Sequence, residues 1–225
     1  MKRLVIVGGT IYDTPLLRKI CNQKEFDQVI AADSGLNWAY RLGIQPDLMM
    51  GDFDSVESDI LTYYKEQGIP SKVFPTRKDY TDSELALWAA MDQSQAEDEI
   101  WMLGGMGSRM DHTLANIFLL YEPLKKGIKA RLFDGLNEVQ MLQGPCERTI
   151  ERRDEQQYVS LLPFLGDAEG IDLEGTAYPL QDFRLKMGKC IGVSNEIVAA
   201  EARIRLKKGY LLLIRSTNDT LDQRN

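Results

Sequence analysis

Short apolar runs that alternate with helix-patterned segments restrict this chain more than any other feature. Leu4 to Val7, Gln28 to Ala32, Asp47 to Met50 and Ile100 to Leu103 each read as a strand. Each then gives way to a polar or glycine-rich stretch: Gly8-Gly9, Asp33-Ser34-Gly35, Gly51-Asp52-Phe53-Asp54-Ser55 and Gly104-Gly105. Lys72-Val73-Phe74 and Ala130 to Phe133 add two more strands. Helices fall between them. Thr14-Pro15 reads as an N-cap followed by proline at the first helical position, and Leu36, Ala39, Tyr40 and Leu42 precede a closing Gly43. Ser58 is expected to cap a helix through Tyr63 and Tyr64 to Gly68. Thr81-Asp82-Ser83-Glu84 is a capping box opening a helix with Leu85, Trp88 and Ala89 on one face. Leu114, Ile117, Phe118 and Tyr121 repeat at helical spacing until Pro123 stops them. Strands alternating with helices at this rhythm imply a parallel sheet covered on both faces, so the first part is an α/β domain. Ligands of such sheets bind at the carboxyl ends of the strands, which places four polar or glycine-rich loops along one edge.

From about residue 137 the rhythm changes to short runs separated by Gly, Pro and Asp: Val139 to Leu142, Tyr158 to Leu162, Ala168 to Leu173, Ala199 to Leu206 and Tyr210 to Arg215. Arg203 to Leu206 followed by Lys207-Lys208-Gly209-Tyr210 reads as a hairpin. The expected organisation is therefore an α/β domain over 1–136 and a small all-β domain over 137–225, with a frayed polar tail after Ser216. A chain of 225 residues with 44% hydrophobic side chains can fill both cores. Lys and Arg number 27 against 34 Asp and Glu, a formal charge of -7, which argues against nucleic acid as a partner. The apolar start, Leu4 to Val7, is far too short for a signal peptide or a membrane span. Cys21, Cys146 and Cys190 are odd in number and far apart, fitting neither a disulfide framework nor a zinc cluster; a reducing cytoplasm is the expected compartment.

Asp52 and Asp54 point the same way in extended backbone, so they suit one magnesium ion or one phosphate cluster. They equally suit a surface turn in which Asp and Gly supply the turn chemistry. Neither a Walker A loop nor a G-x-G-x-x-G fingerprint occurs. Gly104-Gly105-Met106-Gly107 nevertheless runs through Ser108-Arg109 into a helix, where backbone amides cradle phosphate and Arg109 adds a bidentate donor. If that helix starts at Asp111, the carboxylate is its cap, and the only histidine, His112, shares a face with Asn116 at i and i+4. A lone histidine is also commonly just packed or exposed. Asp79 and Asp82, beside Lys78, exceed what capping needs, although charge matching to the helix dipole explains them as well. Asp33 is a weaker candidate, because Ser34 alone accounts for a helix start. No nucleophile elbow exists and no cysteine lies near His112 in sequence, so covalent catalysis has no equipment. Carboxylates, an arginine, a lysine and glycine loops are the equipment of phosphoryl transfer.

Taken in order, these stretches resemble the thiamine pyrophosphokinase family. The matching residues are Ala31 to Gly35, Gly43 to Asp47 leading to Gly51-Asp52-Phe53-Asp54-Ser55, Lys78 to Glu84, Gly104 to Asn116, and in the second part Tyr178-Pro179-Leu180 and Gly192 to Glu196. The resemblance implies a Rossmann-like ATP-binding domain followed by a β-sandwich that binds thiamine, in a homodimer with active sites between subunits. It implies transfer of the pyrophosphoryl group of ATP to the hydroxyl of thiamine, giving thiamine diphosphate and AMP, with magnesium as the metal. Carried over by motif, Asp52, Asp54 and Asp82 are expected to hold the metal and, with Arg109, to be the catalytic set. Asp33, Asp79, Arg109, Asp111 and His112 are expected at the nucleotide, and Ser194 and Asn195 at thiamine. Two alternatives stay open: a magnesium-dependent transferase acting on another small alcohol, and a nucleotide or thiamine sensor without turnover.

Overall fold

β1 (Lys2–Ile6) pairs in parallel with β2 (Gln28–Ala32) on one side and β5 (Glu99–Leu103) on the other. The sheet grows outward through β3 (Leu48–Gly51) and β4 (Ser71–Val73) at one edge and β6 (Lys129–Phe133) at the other, every pairing parallel. This is a computed structural model describing residues 1–74, 79–153 and 157–217; Lys78 and the polar tail from residue 218 lie outside the described residues. The chain divides into two units, Met1–Gly135 and Leu136–Asn225.

In the first unit, alternate strand residues serve opposite faces of the sheet. Leu4, Ile6, Val29, Ala31, Met49, Trp101 and Leu103 share a buried cluster with Leu17 of α1 (Pro15–Ile20), Leu36 and Ala39 of α2 (Gly35–Leu42), and Ile60 and Tyr64 of α3 (Ser58–Glu66). The intervening residues Val5, Ile30, Met50, Ile100 and Met102 are buried too, as are Ala86, Leu87, Ala90 and Met91 of α4 (Asp82–Met91), which contacts β1, β2, β3 and β5. Both faces are therefore covered, and each fully buried aliphatic side chain contributes about 1.5–3 kcal/mol of transfer free energy. Tyr64 joins this core without leaving its hydroxyl unsatisfied, donating it to the Ile44 carbonyl at 2.9 Å.

Several helix details depart from expectation. α3 has Glu57 at its N-cap position, with Ser58 inside the first turn, and Ser34 precedes α2 without making a side-chain cap bond. Leu85, Trp88 and Ala89 are only half-buried; the core face of α4 is the one built from smaller Ala86 and Ala90 with Leu87 and Met91. α5 (Met110–Leu119) starts one residue before Asp111, with Arg109 at the N-cap position and no side-chain cap, so Asp111 is not the cap. Pro123 does not stop α5. It sits in the first turn of a separate α6 (Tyr121–Lys125), where its missing N–H removes no helical bond.

The second unit is antiparallel. β9 (Gln157–Glu174) and β12 (Glu201–Thr217) pair along nearly their whole length, flanked by β7 (Asn137–Gln143), β8 (Cys146–Glu151), β10 (Leu180–Leu185) and the short β11 (Asn195–Glu196). The expected hairpin at Lys207 to Tyr210 is absent: β12 runs through it, with a register shift between Lys208 and Tyr210 and Gly209 at φ 97°. A glycine in that conformation serves a bulge as readily as a turn. The runs Tyr158 to Leu162 and Ala168 to Leu173 likewise merge into β9 across Leu165 and Gly166, both at positive φ. Inward residues from both halves of the long strands, Val159, Leu161, Ile171 and Leu173 with Ile204, Leu206, Leu211 and Leu213, enter one core.

Candidate active site

Parallel pairing brings the ends of β2 and β3 together, because Ala32 stands opposite Met50 and the Asp33 amide donates to the Met50 carbonyl at 2.8 Å. The chain turns sharply there: Asp33 has φ 46° and Phe53, buried beneath the turn, φ 63°. As a result Asp33, Asp52 and Asp54 each offer a carboxylate oxygen within 4.8 Å of the others. Asp52 accepts the Asp54 amide (3.3 Å) and Asp54 accepts the Ser55 hydroxyl (2.8 Å), which orients the pair. Oδ1 of Asp33 is buried with no hydrogen-bond partner among the described residues. Burial pushes its carboxyl above the ordinary carboxylate range, and the charges of Asp82 and Asp54 push the same way, while bonds from Ser34 and Ser55 oppose the rise. Three carboxylates offering hard oxygen donors this close together are able to hold a divalent cation. Asp82 stands outside this trio. It lies in the first turn of α4, behind the N-cap Thr81, whose hydroxyl accepts the Glu84 amide at 3.2 Å.

A cavity of about 590 Å³ opens over these strand ends, lined among others by Gly8, Asp33, Asp82, Met106, Arg109 and His112. On the β5 side it is lined by Gly105 to Arg109 of the loop that follows Gly104. Among the bonds that hold that loop, Gly105 N–H donates to the Gly8 carbonyl (2.7 Å), Thr10 N–H to the Met106 carbonyl (2.8 Å), and Asn116 Nδ2 to the Gly105 carbonyl (2.7 Å). Asn116 also lines the cavity, one turn after His112, which is exposed. Arg109 and Asp111 form a two-point pair, Nε to Oδ1 at 3.2 Å and Nη2 to Oδ2 at 2.6 Å. The guanidinium holds the Asp111 carboxyl below its usual range, and the carboxylate in turn presents the arginine at the cavity rim. Asp111 itself is exposed and does not line the cavity. Asp79 is exposed as well, outside the lining.

Thr10 and Ser83 also line the cavity, and neither they nor Thr113 had an expected role at the site. Thr113 Oγ1 accepts the Gly107 amide at 3.2 Å and donates to the Arg109 carbonyl at 3.2 Å. A threonine three residues before Asn116, on the helix face that meets a glycine loop, was the available signal.

In the second unit, Ser194 is exposed at φ 60°, its amide donating to Ser160 Oγ at 3.0 Å. Asn195 is buried, and its amide is committed to the chain itself. Oδ1 accepts from Tyr178 N–H (3.0 Å) and Glu196 N–H (2.9 Å), while Nδ2 donates to the Tyr178 carbonyl (2.7 Å) and Thr176 Oγ1 (3.2 Å). It clamps the segment that presents Tyr178, a ring 72% exposed.

Comparison with known proteins gives the same answer for each unit. A family model described as "Thiamin pyrophosphokinase, catalytic domain" matches residues 19–132, and one described as "Thiamin pyrophosphokinase, vitamin B1 binding domain" matches residues 147–211. The thiamine pyrophosphokinase of Bacillus subtilis (strain 168) is 36% identical over 190 residues, covering 84% of this chain and 87% of that protein. Among solved structures, a Bacillus subtilis thiamine pyrophosphokinase superposes with a TM-score of 0.84 at 32% identity, covering 97% of this chain and 100% of the other. A Geobacillus thermodenitrificans thiamin pyrophosphokinase gives 0.81 at 27% identity, covering 98% and 99%.

Proposed function

The chain belongs to the thiamine pyrophosphokinase family, and from that premise we propose how its cavity performs the family's reaction. That reaction moves the pyrophosphoryl group of ATP onto the hydroxyl of thiamine, giving thiamine diphosphate and AMP. One observation carries the reading of the site: a single cavity is lined by Asp33, one member of the carboxylate cluster with Asp52 and Asp54, by Asp82, and by a glycine loop that ends in Arg109.

Asp52 and Asp54, with Asp33 beside them, would hold magnesium, which when bound supplies charge neutralisation to the polyphosphate and polarises the β-phosphorus. Asp82, on the same cavity, extends the acid set toward the nucleotide, and Asp79 precedes it in the chain. Amides of the Gly104 to Arg109 loop and the Arg109 guanidinium bind phosphate oxygens and stabilise charge that develops on them. Asp111 orients Arg109, and His112 borders the nucleotide. Thiamine binds the second unit, where exposed Ser194 contributes contacts and buried Asn195 positions the Tyr178 segment. The hydroxyl of thiamine then attacks the β-phosphorus in line, with AMP leaving.

The two units correspond, in this reading, to a Rossmann-like ATP-binding domain over 1–136 and a thiamine-binding β-sandwich over 137–225. The protein works as a homodimer with active sites at the subunit interface. Exposed Met110, Leu114 and Phe118 along α5, and Tyr178, Ile191 and Val193 in the second unit, support this by offering apolar surface for a partner copy. No helix among the described residues is long and apolar enough to cross a membrane. Three free cysteines suit a cytoplasmic setting.

Product analysis tests the reading. With ATP, magnesium and thiamine, AMP and thiamine diphosphate are expected in equal amounts. AMP formed only with a different alcohol would replace thiamine as acceptor, and no AMP at all would remove the assignment.

A further inference from the structure

We propose that Thr113 and Asn116 of α5 are positioning residues that set the glycine loop in its anion-receptive conformation, a role that rests on reading this loop as the phosphate site. A trans peptide is planar, so its carbonyl and the following N–H point in opposite directions. Asn116 Nδ2 draws the Gly105 carbonyl toward α5, which turns the Met106 N–H away from the helix. The Met106 carbonyl is drawn by the Thr10 amide, and the Gly107 N–H is held by Thr113 Oγ1. Three amides of the loop, those of Met106, Ser108 and Arg109, donate to no acceptor among the described residues, and all three residues line the cavity. Donors left over in this way at a strand end leading into a helix are what a phosphate requires.

The contact between loop and helix is tight. Gly105 has φ 73°, and a Cβ there would come 2.9 Å from Asn116 Nδ2. Asn116 is 5% exposed, so its amide bonds the loop from a buried position. Removing its donor lets the Gly105–Met106 peptide rotate, and the loop loses its amide array with every side chain that meets the nucleotide still in place.

Steady-state kinetics on four variants test this. Asn116→Asp keeps the shape, removes the donor and sets an acceptor against the Gly105 carbonyl. It is expected to raise the KM for ATP about tenfold or more while leaving the KM for thiamine unchanged. Thr113→Val removes the hydroxyl at constant volume and is expected to raise the ATP KM about fivefold, whereas Thr113→Ser, which retains the hydroxyl, restores it toward the wild-type value. A purely structural role lowers the thermal midpoint and kcat without separating the two KM values; that result, or Thr113→Val and Thr113→Ser giving the same ATP KM, overturns the proposal. Should Asn116→Asp fail to fold, the Thr113 pair decides alone. Arg109→Ala separates the two layers of the reading. If it raises the ATP KM and the α5 variants do not, only the positioning role falls; if it too leaves the ATP KM unchanged, the loop is not the phosphate site.

Discussion

Asp33 carries a buried oxygen without a hydrogen-bond partner among the described residues, and its carboxylate lies within 4.8 Å of those of Asp52 and Asp54, a gathering of like charge that a divalent cation would relieve. Magnesium is therefore expected to raise the thermal midpoint of the wild-type protein, by an amount that grows with its concentration. Asp54→Asn should abolish that shift and lower turnover by about three orders of magnitude or more while circular dichroism stays native. Wild-type rates in this variant would remove the metal assignment. Asn195 is different in kind, since its four hydrogen bonds all go to the chain's own 176–178 and 196 segments. Asn195→Ala leaves buried partners unpaired and is expected to cost about 1–3 kcal/mol of stability by urea denaturation. The ATP KM should be unaffected.

At the scale of elements, the first unit is anchored at its amino-terminal edge as firmly as its carboxyl edge is left open. Arg3 of β1 is buried and donates to Ser94 and Asp98 in the approach to β5. The Met1 ammonium, the Gln95 amide and Arg3 hold the Asp98 carboxyl down at about 2. Because this folded value lies below the unfolded one, the pairing stabilises the fold above about pH 4. The contribution disappears as pH falls toward about 2. Asp98→Asn should lower the melting temperature at pH 7, with the gap to wild type closing between those limits; a gap independent of pH would contradict it. Local pattern was enough to read the elements of this unit, because apolar runs of strand length alternate with helix-spaced segments, although Ser34, Ser58 and Asp111 do not cap as expected. The helix faces were less legible. Leu114 and Phe118 satisfy helical periodicity yet are exposed, since period alone does not say which stripe meets the sheet. Gly209 failed for a related reason. A turn and a bulge ask the same of glycine, and only the partner strand, irregular at Leu165 and Gly166, selects the bulge. The grouping of Asp33 with Asp52 and Asp54 depended likewise on β2–β3 pairing, which local pattern does not state.

For the whole molecule, exposed apolar side chains occur on α5 of the first unit and around Tyr178 and Ile191 of the second. Sedimentation equilibrium is expected to return the mass of a dimer, and Leu114→Glu to shift it toward monomer with a parallel loss of activity. A fully active monomeric variant would place the active site within one chain. The most direct test of the account as a whole follows the phosphorus itself. With ATP labelled at the β-phosphate, thiamine and magnesium, the label should pass into thiamine diphosphate in step with AMP release, and both should vanish on chelation or in folded Asp54→Asn. Label transfer undiminished by Asp54→Asn, or AMP release without labelled thiamine diphosphate, would contradict it.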